Sequence, residues 1–327
     1  DENPTKQFGI GLYTGQSGGG NSVVCGFQPD LIWGKSRSSS QTGILIDSSR
    51  GQGILFSATN DDEQTSNGPF ISSYNSDGFT FASSGSNPND NGATYVAWCW
   101  RANGGTTASN SDGSITTTVQ TSQAGGFSTI TYTGTGSNAT IGHGLTKAPE
   151  FYIAKNRSSA ENWTCYHVGV GATHYLTLNT DAAASDNNTF WNDTAPTTSV
   201  ISLGTNARCN GSSNNMVGYA WHSVEGYSKF GTYVGNGNSF GTFIHTGFRP
   251  RMIFVKRTTS GYWNVIDSAR DTFNPVNKYL SWNVSDAEGS GANVDFLSQG
   301  FKLKTTSSGF NQSGTTFIYG AWSDVPF

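Results

Sequence analysis

Leu31-Ile32-Trp33 runs without a polar break between Pro29-Asp30 and Gly34-Lys35, and this block returns twice, as Pro149-Glu150-Phe151-Tyr152-Ile153-Ala154-Lys155 and Pro250-Arg251-Met252-Ile253-Phe254-Val255-Lys256. A second apolar run, Thr94-Tyr95-Val96-Ala97-Trp98-Cys99-Trp100, recurs as Asn215-Met216-Val217-Gly218-Tyr219-Ala220-Trp221 and Thr316-Phe317-Ile318-Tyr319-Gly320-Ala321-Trp322. Pro149 follows Pro29 by 120 residues and Trp221 follows Trp100 by 121, while the next step is 101 residues for both anchors. Two independent lines that agree to one residue predict an internal repeat of three modules. Between the anchors, short β-branched and aromatic runs alternate with Gly, Asn, Asp and Ser at the spacing of antiparallel strands. No long amphipathic helix is predicted.

The Tyr95-to-Trp100 run and its copies are apolar at both alternating sets of positions, so they are expected to be central strands covered on both sides. One face carries Val96, Val217 and Ile318, then Trp100, Trp221 and Trp322; the other carries the small Cys99, Ala220 and Ala321. The fold class that follows is all-β: three tandem antiparallel β-sandwich modules of jelly-roll or lectin-like type, each with its own tryptophan-centred interior. On that expectation, replacing one of the three indoles by alanine unfolds its own module first. The modules are placed at residues 1–102, 127–226 and 227–327. Residues 103–126, bracketed by Gly104-Gly105 and Gly125-Gly126, read as a Gly/Ser/Thr-rich linker holding one strand, Ser114 to Val119, which could join a neighbouring sheet.

Charged residues are 12% of the 327, about half the usual share, yet aromatics reach 13% with nine Trp, which excludes disorder. A net charge of −4 with no dense basic run argues against nucleic acid as a partner. No apolar stretch approaches the roughly 20 residues of a membrane span, and Asp1 to Lys6 lacks the regions of a signal peptide. Cys25 and Cys99 fall in the first module, Cys165 and Cys209 in the second and none in the third, so buried or free thiols are expected rather than a repeated disulfide framework.

Catalytic constellations are weak. Asp47-Ser48-Ser49-Arg50 and Asp267-Ser268-Ala269-Arg270 could set a carboxylate beside a hydroxyl and a guanidinium, but the middle module has His167 and Val170 at the matching places, which favours a structural pair. Lys35, Lys155 and Lys256, followed within two residues by Arg37, Arg157 and Arg257, could meet an anion; a solvated strand end or edge guard is the preferred reading. The histidines have no metal-ligand spacing, so neither a metal nor a cofactor is expected, and no catalytic residue is assigned. Sugar rings stack on aromatic faces while amides and hydroxyls take their hydroxyl groups. Trp191 and Trp282 lie in or beside module-specific segments and, with Tyr175 and Tyr279, are the candidate ligand contacts.

The strings Tyr132-Thr133-Gly134, His143-Gly144-Leu145-Thr146-Lys147-Ala148-Pro149, Lys155-Asn156-Arg157-Ser158, Asp77-Gly78-Phe79 and Tyr95-Val96-Ala97-Trp98-Cys99-Trp100 resemble the repeated modules of tail-fibre-like virion structural proteins of marine bacteriophages. The resemblance runs from Asn3-Pro4-Thr5-Lys6 to Val325-Pro326-Phe327, although the first module has Cys25-Gly26-Phe27-Gln28 in place of the His-Gly-Leu string. It implies a virion-surface location, other virion proteins as partners, and no catalytic residues. The expected function is non-enzymatic attachment to the host surface, with host polysaccharide or another surface receptor as the partner. The alternatives are a tailspike glycan depolymerase, which needs a carboxylate pair in one aromatic-lined groove, and a capsid or tail decoration without a ligand. A homotrimer is the first expectation for assembly; a pseudo-threefold cluster built from one chain is the other.

Overall fold

The computed structural model describes residues 7–51, 53–65, 70–82 and 87–323; the Asn3-to-Lys6 and Val325-to-Phe327 strings lie outside the described residues. The chain is all-β with several antiparallel sheets, and its helices are single turns such as Asn188–Trp191, Ala207–Asn210 and Ser308–Asn311. No helix among the described residues is long and apolar enough to cross a membrane.

Each doubly apolar run is a central strand. Thr94–Trp100 lies between Phe8–Thr14 and Leu31–Ser36, Asn215–Trp221 between Phe127–Thr133 and Phe151–Asn156, and Thr316–Trp322 between Ser228–Val234 and Met252–Arg257. Beyond them the sheets continue through Ile44–Asp47, Thr164–His167 and Asn264–Asp267, so the three repeats share one strand order. Segment 103–126 holds two strands rather than one: Ala108–Asn110, and Thr117–Ser122, which pairs with Phe127–Thr133 and extends the second sheet. All four cysteines are buried and free.

The interiors are not separate. Side chains from all three repeats fill one shared cluster, which takes Val96 and Trp98 from the first, Val217 and Tyr219 from the second, and Ile318 and Phe254 from the third. At one end Trp100, Trp221 and Trp322 meet edge to face, with ring centroids 5.8, 5.5 and 6.3 Å apart. The small residues on the opposite strand faces, Cys99, Ala220 and Ala321, instead join three clusters private to the repeats. Tandem, independently cored modules are therefore replaced by a pseudo-threefold closure around a common core. The reason is area: each main sheet has two apolar faces, and its own outer strands cover only one of them.

Closure is pinned by the pair positions seen in the sequence. Asp47 of the first repeat accepts the hydroxyl of Tyr219 in the second at 2.6 Å, and Asp267 of the third accepts the Trp98 indole N–H of the first at 3.1 Å. Arg50 bridges Asp47 to Glu63, which also takes Arg157 at 2.7 Å; Arg270 bridges Asp267 to Glu288, which also takes Arg37 at 2.9 Å. Burial alone would raise the Glu288 carboxyl, but Arg37, Arg270 and Lys278 leave it below the usual range.

The junction between repeats 2 and 3 is built without those charges. Ala184 N–H donates to Thr258 O at 2.8 Å, just as Glu63 N–H does to Arg157 O and Glu288 N–H to Arg37 O, so Ala184 and Thr258 occupy the glutamate and arginine places. His167 stands for the aspartate: Nε2–H donates to Tyr319 O at 3.1 Å, and Nδ1 accepts from Gly169 N–H at 3.0 Å. Both ring nitrogens are thus satisfied in the neutral form, and burial lowers the imidazole pKa to about 4. His143 is held alike, between Thr197 O and Leu145 N–H, and is also lowered to about 4 by burial.

Because these two histidines bind fewer protons folded than unfolded between pH 4 and 6.5, stability is full above about 6.5 and falls as pH drops towards 4. For His167 the loss is expected to reach about 3 kcal/mol. Urea midpoints at pH 7 and 4.5, for the wild type and His167→Gln, measure it. Equal pH slopes in the two proteins would show that His167 is not the acid-sensitive contact.

Candidate functional site

The four expected ligand contacts do not form a surface. Trp191 and Trp282 are each 1% exposed. Trp191 is walled by Tyr152 and Tyr166, and Trp282 stacks on Trp33 of the first repeat with centroids 4.0 Å apart, so neither offers a ring face to solvent. Tyr175 and Tyr279 are half-buried and equivalent in their repeats; Tyr175 stacks on Phe190 at 3.7 Å, and Tyr279 meets Phe310 edge-on.

The repeat anchors are structural. Pro29, Pro149 and Pro250 are buried, and Lys35, Lys155 and Lys256 are 0% exposed rather than solvated strand ends. Each ammonium donates to loop carbonyls: Lys35 to Gln41 O, Lys155 to Asn156 O and Lys256 to Arg257 and Thr259 O. Burial pushes all three down to about 8. Among the described residues no group of three His, Cys, Asp or Glu could hold a metal ion.

Exposed rings collect instead on the third repeat. Its strand Phe243–His245 pairs with Gly300–Leu303, which pairs in turn with Gly289–Leu297. Ile244, Phe301 and Phe296 point inward to the repeat's private cluster, so the alternate positions face out. The register sets Phe243, Lys302 and Asp295 in one outward row, and His245, Gly300 and Leu297 in the next. Gly300 is required here because an added Cβ would lie 2.0 Å from Ile244 O, and its bare backbone leaves the Phe243 ring lying alongside.

Phe243 is 45% exposed and Phe240 78%. The Lys302 ammonium sits 4.8 Å from the Phe240 ring centroid, a cation–π contact. No core packs behind Phe240; its turn is fixed by Asn238 Oδ1, which accepts the Phe240 N–H at 2.9 Å, and by Asn236, which donates to Phe240 O at 3.2 Å. This arrangement can stack a flat apolar ring face and hydrogen-bond its rim.

Beside His245 the same face opens into a polar cleft of about 520 Å³, lined by Ser223, Glu225, Lys229, His245, Thr246 and Gln299 among others. One wall is the turn joining repeats 2 and 3, closed by Tyr227 N–H to Val224 O and Ser228 N–H to Val224 O. The other is the turn after His245, where Thr246 N–H donates to Gln299 O at 3.0 Å. Lys229 Nζ ties the two, donating to His245 O at 3.1 Å.

Sequence reasoning missed Phe240, Phe243, His245 and Lys302 because an exposed phenylalanine and a core one look alike in a β-run. The available signal was a departure from the repeat: seven residues before its proline, repeat 2 has Gly142 where repeat 3 has Phe243. No curated protein matches the chain. A family model described as a domain of unknown function, DUF7483, matches residues 3–326, and the chain belongs to that family.

Proposed function

We propose that the chain is a non-enzymatic structural protein of a bacteriophage particle, exposed on the virion in a tail fibre or similar appendage, which engages glycan on the host surface through the outer face of its third repeat. The observation that carries the reading is the outward pair Phe240 and Phe243 with Lys302 on the adjoining strand, beside a polar cleft. A decoration protein without a ligand has no use for rings held in solvent by their own turn. A depolymerase would need a second carboxylate facing Glu225, and Glu225 is the one carboxylate among the cleft-lining residues. Each repeat is read as a two-layer sandwich whose outer layer varies: Ser22–Val24, Gly78–Phe81 and Ile71–Asn75 in the first, Ala139–Gly142 with Val200–Leu203 in the second, and the aromatic-bearing sheet in the third. The three repeats already supply threefold multiplicity within one chain, and the variable outer layers confine ligand contact to one of them.

A glycan array probed with the purified chain tests this. Phe243→Ala is expected to weaken binding to the best glycans on the order of tenfold, the worth of a stacked ring. Tyr175→Ala, in the second repeat, is expected to leave binding unchanged. Full binding by Phe243→Ala would remove the third-repeat face from the reading.

A further inference from the structure

We propose that the cleft between the 224–228 turn and the turn after His245 is a second sugar subsite continuous with Phe243, so that the face takes a neutral oligosaccharide of at least two residues. The inference rests on the glycan reading above and specifies its ligand. Phe243 and His245 are two residues apart on one strand and point the same way, which places the ring and the cleft mouth about 7 Å apart. A single sugar stacked on Phe243 cannot also fill a space of about 520 Å³ beyond His245, whereas a linked neighbour can.

The lining suits hydroxyl groups. Glu225 is exposed and can accept two O–H donors from adjacent hydroxyls; Lys229 uses one N–H on His245 O and has two left for sugar oxygens. Gln299 adds an exposed amide, and Gly226 and Gly247, both with positive φ, line the cleft without side chains and leave room for a ring. Glu225 and Lys229 carry opposite charges, so the pair gives neither a uronic acid nor an amino sugar an electrostatic advantage; a neutral sugar desolvates them at least cost.

Titration calorimetry with the mono-, di- and trisaccharide forms of the best neutral array glycan separates the subsites. The wild type is expected to gain at least about tenfold in affinity from mono- to disaccharide. Glu225→Gln and Lys229→Met, both surface changes whose folding is checked by their thermal midpoints, are expected to erase that gain while keeping monosaccharide binding. Phe243→Ala is expected to weaken all three sugars. Retention of the gain in both cleft variants, or a preference for charged sugars, overturns the second subsite and leaves the Phe243 reading standing. Absence of binding to any glycan overturns both.

Discussion

Trp100→Ala is expected to unfold all three repeats in one transition and to cost about 3–5 kcal/mol, the range for deleting a buried indole. The ring contacts Trp221 and Trp322 from the other two repeats, and Phe8 and Phe127 as well, so the void opens onto the main sheet of each repeat. Phe310→Ala is the contrast, since Phe310 belongs to the third repeat's private cluster. Hydrogen exchange on Thr94–Trp100, Asn215–Trp221 and Thr316–Trp322 distinguishes the cases. Trp100→Ala should raise exchange in all three strands together, and Phe310→Ala mostly in the third. Faster exchange limited to Thr94–Trp100 in the tryptophan variant would mean that the repeats are cored independently after all.

The repeat, the central strands and the two faces of each were legible because apolar periodicity reports burial directly. Closure was not, since an indole buried in its own module and one buried against two neighbours leave the same pattern along the chain. Trp282 shows the difficulty from the other side. Its lack of a counterpart suggested ligand contact, but repeats 2 and 3 carry Trp163 and Trp263 where repeat 1 has Gly43, and Trp282 stacks on Trp33, the ring that borders Gly43. A module-specific aromatic here compensates for a missing one across the junction. The exposed rings of the third repeat were hidden for a different reason: strand alternation assigns Phe243 to one face or the other only when its partners Lys302 and Asp295 are known.

The exchange of Asp47 and Arg50 for the His167 and Val170 of the second repeat gives the other large effect. Arg50 and Asp47 are fully buried side chains, so removing one partner strands a charge, and Asp47→His or Arg50→Val alone is expected to cost about 3–5 kcal/mol. Arg50→Val should fall at the lower end, because Asp47 keeps the Tyr219 hydroxyl and the backbone N–H groups of Ser49 and Arg50. Asp47→His should fall at the upper end, because it removes the acceptor of the Tyr219 hydroxyl and of the Ser49 and Arg50 N–H groups at once, and leaves Arg50 with Leu45 O and a Glu63 that Arg157 already shares. The double variant Asp47→His/Arg50→Val removes both buried charges and leaves Glu63 paired with Arg157, while Tyr219, which stands where the third repeat has Gly320, passes its hydroxyl from the carboxylate to the new imidazole. It is therefore expected to be more stable than either single variant, with a coupling energy of about 2–3 kcal/mol in a urea-unfolding cycle. A double variant no better than the weaker single one would show that the uncharged solution depends on the bare backbone at Gly320 that faces His167, and that the three junctions share geometry without sharing chemistry.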